Sequence, residues 1–234
     1  MTNSNRVTTT GDAFFRTTPH PDDLEQDGRR ARSLRRVVGA LSLPAVFLCL
    51  AVGTLIDPLD DSASPGPTIE GAWGHTAAIT TLAWVEMLTA VLTIAGLLTL
   101  VGAIRYRGAA LANATGVLAV LTGIGLTAIS FNHFVIAGLV GSGLKSADAV
   151  TALTAFQTAG GPVVILIMLP PLTYLIAAIA SWRAGLLPRA GLVLGVLFAV
   201  ITSVSGSVLA DIAIIVVGFL LTGWIAKGML SQRG

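Results

Sequence analysis

Cysteine, charge and aromatic rings are all scarce in this chain. Its 234 residues hold one cysteine, Cys49, so neither a disulfide framework nor a cysteine-based metal site can be built within it. Only 11% of the residues are charged, against about a quarter in soluble domains, which excludes a large water-covered surface. Lysine is nearly missing: Lys145 and Lys227 stand against twelve arginines. There is no Asp-rich diphosphate motif, no H-E-x-x-H, no Walker A loop and no His or Cys cluster at ligand spacing. No metal and no cofactor are therefore expected.

What fills the chain instead is apolar: 54% of the residues are hydrophobic and the mean hydropathy is +0.83. These values belong to an integral membrane protein. Abundant Ala, Gly, Val and Leu with arginine in place of lysine is the bias of a GC-rich bacterial genome, and the expected location is a bacterial inner membrane, crossed several times. No A-x-A-like cleavage site follows the first apolar run, so that run is expected to stay as a helix.

Residues 1–36 form a polar segment that closes on a basic cluster at residues 29–36. Without apolar periodicity, this segment is expected to be disordered. Apolar runs follow at residues 37–56, 77–103, 109–139, 162–180 and 190–225. Roughly 20 residues cross a bilayer, so the last run is too long for one span and must turn back. Its break is expected at "SVSGSVLAD", where Ser205, Gly206 and Ser207 supply turn and cap chemistry. The expected fold class is all-α: a polytopic bundle of six transmembrane helices over residues 37–230.

Orientation follows from the basic residues. With both termini cytoplasmic, Arg6, Arg16, the arginines of residues 29–36, Arg105, Arg107, Arg183, Arg189, Lys227 and Arg233 all lie inside, and only Lys145 lies outside. Because these residues flank membrane runs, the sequence pI of about 9.1 is a topology signal, and a nucleic-acid partner is not expected. Small residues mark helix seams: Ala112, Gly116, Ala119 and Gly123 share one face of the third run, and Gly191 and Gly195 one face of the fifth. In "LPPLTY", Pro170 and Pro171 remove backbone donors at mid-membrane and are expected to kink the fourth helix.

Three ionisable residues lie inside the runs, where each costs roughly 2.5–3.5 kcal/mol on insertion scales. Glu86, His133 and Asp211 fall at depths of roughly 13, 9 and 6 Å from the outer side, at about 1.5 Å per residue, so a shared cavity is geometrically allowed. Glu86 shares its helix face with Ala83, Thr89, Ala90 and Thr93, while Trp84 points elsewhere. Asp211 shares a face with Ile214, Ile215, Gly218 and Thr222. Asn132, Phe131 and Phe134 fan out beside His133. Plainer roles exist for each. Asp211 can sit in water at a helix N-terminus, His133 can be a satisfied polar residue, and Glu86 can hold a neighbouring helix by a hydrogen bond. A catalytic role uses the same placement, since a desolvated carboxyl keeps its proton and can deliver it to a bound substrate.

A small, nearly all-helical membrane protein with one Glu in an early helix ("AWVEML") and one Asp in the last ("VLADIA") resembles the integral-membrane terpene cyclases of fungal meroterpenoid and bacterial indole-sesquiterpenoid pathways. The resemblance spans residues 37–230. It implies that an acidic residue protonates an epoxide or terminal alkene of a farnesyl-type prenylated substrate and starts a cationic ring closure without a metal. It implies Glu86 and Asp211 as the acid and base pair, with His133 or Asn132 orienting one of them; Glu86, the deeper, is assigned as donor. Phe131, Phe134 and Phe156 would line the pocket and stabilise the cation by cation–π contact, with Thr89 also toward the substrate. The partners implied are a lipophilic small molecule and membrane lipid, and a homo-oligomer is compatible with this.

Three other readings use the same residues. A small proton-coupled transporter or solute-binding protein would relay protons through Glu86 and Asp211, with the Pro170-Pro171 break as its gate. A haem or quinone protein would use His75 and His133, although these sit about 9 Å apart in depth by the same rise per residue. A partner-binding membrane subunit would have no chemistry of its own.

Overall fold

The computed structural model describes residues 21–59, 64–204 and 208–231. Among them the chain is helical throughout and contains no strand. Nine α-helices follow in order: α1 (Pro21–Ile56), α2 (Pro65–Ala72), α3 (Thr76–Ala103), α4 (Ala109–Gly141), α5 (Ser146–Ala159), α6 (Val164–Ile167), α7 (Pro170–Arg183), α8 (Arg189–Ser203) and α9 (Val208–Ser231). The chain divides into two units, residues 1–34 and 35–234.

In the first unit the helix begins at Pro21, so the second part of the segment expected to be disordered is helical where it is described. Its local chemistry accounts for this. Proline is pre-set for the first helical position.

Among the described residues five helical stretches are long and apolar enough to cross a membrane: Ser33–Ile56, which begins at the end of the first unit, and Thr76–Ala103, Ala109–Gly141, Ile165–Arg183 and Leu209–Ser231 in the second. Only 33–39% of each most apolar window is buried by protein. Trp84, Val117, Val193 and Leu209 are among the large apolar side chains left exposed, and an apolar surface of this extent is one that lipid, not water, covers. The expected fifth span is α8, which has 15 residues. That length reaches about 22 Å against a hydrocarbon core of about 30 Å. It is short because Pro188 precedes its first turn and its C-cap is Val204. The break in the run 190–225 falls between Ser203 and Val208, and the Ser205-Gly206-Ser207 turn lies outside the described residues.

The loops expected between the first and second spans, and between the third and fourth, contain helices. α2 opens on Pro65 and buries Ile69 and Ala72; α5 buries Ala149 and Leu153. With Ile79 of α3 and Ile136, Ala137 and Val140 of α4 they form a small core at the N-terminal end of α3 and the C-terminal end of α4. The larger core lies toward the other end. Phe47, Tyr174 and Phe198, from α1, α7 and α8, meet with ring centroids 5.2–5.6 Å apart. Leu43, Leu97, Leu100, Leu221 and Met229 surround them.

α3 and α4 form the most extensive helix pair, and small residues permit it. The seam expected on the third run, Ala112, Gly116, Ala119 and Gly123, is buried. Gly116 faces Leu98 and Val101, and Gly123 faces Ile94. Hydroxyls inside the spans bond back to their own helices, as in Thr89 to Val85 O (2.8 Å), Thr93 to Thr89 O (2.8 Å) and Thr222 to Gly218 O (2.7 Å), which satisfies them where water is absent. The fourth span breaks where the prolines require it. A 3₁₀ turn and α6 end at Met168 and Leu169, and α7 restarts with Pro170 at its first position. The broken backbone rests on α4 at Gly125, where a Cβ would come within 2.7 Å of Leu166 O.

Candidate functional site

Glu86 lies in α3 between the two cores, after Ile79 and before Leu97. The helix face read from its spacing turns inward: Ala83, Thr89, Ala90 and Thr93 are all buried. His133 lies at the corresponding level of α4, between Ala119 and Ile136. The close α3–α4 pairing brings the two together, with Nδ1 of His133 2.7 Å from Oε2 of Glu86. The side chains keep 13% and 19% of their surface, respectively, so the pair is mostly desolvated yet not sealed. One proton lies in that bond in either arrangement, carried by the ring as a donor to the carboxylate or by the carboxyl as a donor to the ring. Such a couple can hold a proton and release it to a group that approaches the remaining carboxyl oxygen or the ring Nε2.

An aromatic patch adjoins the pair. Phe134, next to His133 in sequence, meets Trp84 edge-on at 5.3 Å between centroids and Phe131 at 6.5 Å. Trp84 and Phe131 are 61% and 54% exposed, so the patch opens toward lipid. Trp84, set aside by its angular position on α3, therefore belongs to this patch through Phe134. Phe156 lies on α5, 40% exposed, and makes no ring contact with the patch among the described residues.

The remaining sequence-derived residues are placed elsewhere. Asn132 Oδ1 faces Gln157 Nε2 of α5 at 3.5 Å, the limit of a hydrogen bond, and does not bond Glu86. Thr89 is buried one turn below Glu86 and its hydroxyl is committed to Val85 O. Asp211 stands in the first turn of α9, where a carboxylate favours the helix dipole. Its helix packs on α8 and, through Gly218 against Phe47, on α1. Among the described residues no hydrogen bond or ion pair joins Asp211 to Glu86 or His133. His75 is the exposed N-cap of α3.

One residue near the pair escaped the sequence reading. Asp57, just past the end of α1, accepts the Leu59 N–H at 2.9 Å and is within electrostatic range of His133. Its position just past the C-terminal end of the first run is the available signal. Comparison of the chain with protein families, with curated proteins and with solved structures gives no match.

Proposed function

We propose that this chain is a multi-pass protein of a bacterial inner membrane that protonates a lipophilic, prenylated substrate from the Glu86–His133 couple and so starts its cyclisation. The observation that carries the reading is the 2.7 Å hydrogen bond between Glu86 and His133, placed beside an aromatic patch that faces lipid. Nothing structural requires an acid and an imidazole in an apolar helix pair, and each adds an insertion cost that a functional proton would justify. In this mechanism Glu86 is the neutral acid, with its proton on Oε1 and its Oε2 accepting from the Nδ1–H of a neutral His133, and it gives the Oε1 proton to an epoxide oxygen or a terminal alkene carbon. His133 holds the resulting carboxylate by its Nδ1–H, and the rings of Phe134, Phe131 and Trp84 stabilise the cation as it moves along the chain. A proton is lost when the final cation collapses, so the net change is an isomerisation. His133 takes the place of Asp211 as the partner of Glu86.

The topology belongs to the same proposal. α8 completes a sixth crossing with the residues that flank it, and both termini face the cytoplasm, since the basic residues Arg105, Arg107, Arg183, Arg189 and Lys227 then share one side. The test is incubation of the purified protein with a farnesylated indole and with its terminal epoxide, followed by product analysis. A cyclised product from the native protein that falls at least a hundredfold in Glu86→Gln supports the reading. No product from either substrate, or undiminished product from the variant, refutes it.

A second reading, proton-coupled transport, is favoured by the broken fourth span, because helix breaks at mid-membrane free backbone carbonyls along solute paths. Proton flux into liposomes that is abolished in Glu86→Gln would select it over the cyclase.

A further inference from the structure

Far from the Glu86–His133 pair, a cleft of about 520 Å³ opens between the α3–α4 connection and the end of α7, lined by Arg107, Gly108, Trp182 and Arg183. Two arginines thus line one space. Both are exposed, and neither forms an ion pair with a carboxylate among the described residues. Gly108 enforces this arrangement. It takes φ +89°, and a Cβ there would come within 2.8 Å of Ala180 O and 3.3 Å of Arg183 Cβ, so only glycine lets the connection lie against this turn of α7.

Gly108 is also the N-cap of α4 and, having no side chain, leaves that helix without a side-chain cap. The Ala109 N–H is taken up by Tyr106 O, so the start of this 33-residue helix presents the N–H groups of Ala110 and Leu111 and the positive end of its dipole at the same place. A cation at a helix N-terminus is disfavoured, yet Arg107 stands immediately before this one. Helix start and two arginines together make a concentrated positive site that no carboxylate neutralises among the described residues. The topology signal needs basic residues on this side of the membrane but does not need two in one cleft. Arg105, two residues earlier, supplies the same charge without lining it.

We propose that this cleft binds a phosphate anion: the guanidiniums bond its oxygens in the paired geometry arginine favours, and the N–H groups at the start of α4 complete the site. Trp182 fits the headgroup level of a bilayer, where an indole has one apolar face and one polar edge. The anion comes from a phospholipid headgroup or from solution. The site is independent of the proton chemistry proposed above.

The test uses the full-length protein in neutral detergent. Melting temperature is followed on adding phosphatidylglycerol, phosphatidylcholine or inorganic phosphate, in the native chain, in Arg107→Gln, in Arg183→Gln and, as a control, in Arg105→Gln. A rise with phosphatidylglycerol over phosphatidylcholine that persists in Arg105→Gln and is lost in the other two variants supports the site with a lipid as its source. A rise with inorganic phosphate showing the same dependence supports it with a soluble anion. Lipid retention counted by native mass spectrometry gives a readout that does not depend on melting, with an apparent affinity about tenfold weaker in each cleft variant, as expected for one lost charge-assisted contact. No anion-specific rise, or one equally reduced in Arg105→Gln, overturns the proposal.

Discussion

Gly125 of α4 and Leu166 of α6 are in backbone contact: no side chain fits between them, and the carbonyl of Leu166 occupies the space a Cβ would need, 2.7 Å away. The break in the fourth span is thereby seated on its neighbour instead of standing open. Because the obstacle is backbone and not the end of a flexible side chain, it cannot swing aside. Gly125→Ala is expected to lower stability by about 1–3 kcal/mol, the usual cost of overpacking. Gly138→Ala on the same helix, with nothing within 4 Å, is expected to be neutral or slightly stabilising. Thermal unfolding of the two variants in detergent checks the contrast.

Glu86→Gln keeps a carbonyl that can accept from Nδ1 of His133, so it is expected to hold stability within about 1 kcal/mol while removing the proton the site would deliver. Glu86→Leu leaves the ring without its partner and is expected to cost about 1–3 kcal/mol. A double-mutant cycle with His133→Leu should give a coupling of about 0.5–3 kcal/mol. Zero coupling would mean that the 2.7 Å bond contributes nothing in the folded protein.

Thr122 and Thr173 join α4 to α7 through a 2.7 Å hydroxyl contact, and the Thr173 hydroxyl also reaches Leu169 O at 2.9 Å. Thr122→Val is expected to cost about 0.6–2 kcal/mol, the range for interhelical hydrogen bonds in membranes. The loss should be smaller in a Thr173→Val background, read as a shift in the unfolding midpoint.

Tyr174 places its ring against Phe47 and Phe198, and its buried hydroxyl makes no hydrogen bond of good geometry; the Thr93 hydroxyl, which donates to Thr89 O and can still accept, lies beside it. Tyr174→Phe is expected to leave stability unchanged or raise it by about 1 kcal/mol, since it removes an unsatisfied polar atom and keeps the ring. Tyr174→Ala should instead cost about 3–5 kcal/mol by opening the centre of the larger core.

Sidedness is checked with single cysteines in a Cys49→Ala background. Arg107→Cys and Lys145→Cys should be labelled by a membrane-impermeant thiol reagent from opposite faces of inner-membrane vesicles. Labelling from the same face would overturn the six-span arrangement and leave an odd number of crossings.

Much of the architecture was legible because it is local. Five long apolar runs, the small residues from Ala112 to Gly123 and the proline pair each state a one-dimensional fact that the helix converts directly into place. The inward face of Glu86 was legible for the same reason, as helical phase alone sets it. The Glu86–His133 contact was only bounded: depth and phase allow it, but the rotation of α4 against α3 comes from the whole seam at Gly116 and Gly123. Asp211 shows the limit. Its depth suggested company with Glu86, yet α9 packs on α8 and α1, and nothing near Asp211 in sequence encodes that azimuth. α2 and α5 were read as loops because short amphipathic helices give no apolar run. Their burial of Ile69 and Leu153 depends on the ends of α3 and α4.

The two cores lie at different levels of α3 and α4, and the Glu86–His133 bond spans the interval between them. A polar contact is therefore set into an otherwise apolar helix seam, and its strength depends on where a single proton sits. The same bond that would serve chemistry is thus a clasp, and adding or removing one proton would loosen the two helices where substrate from the lipid would have to enter.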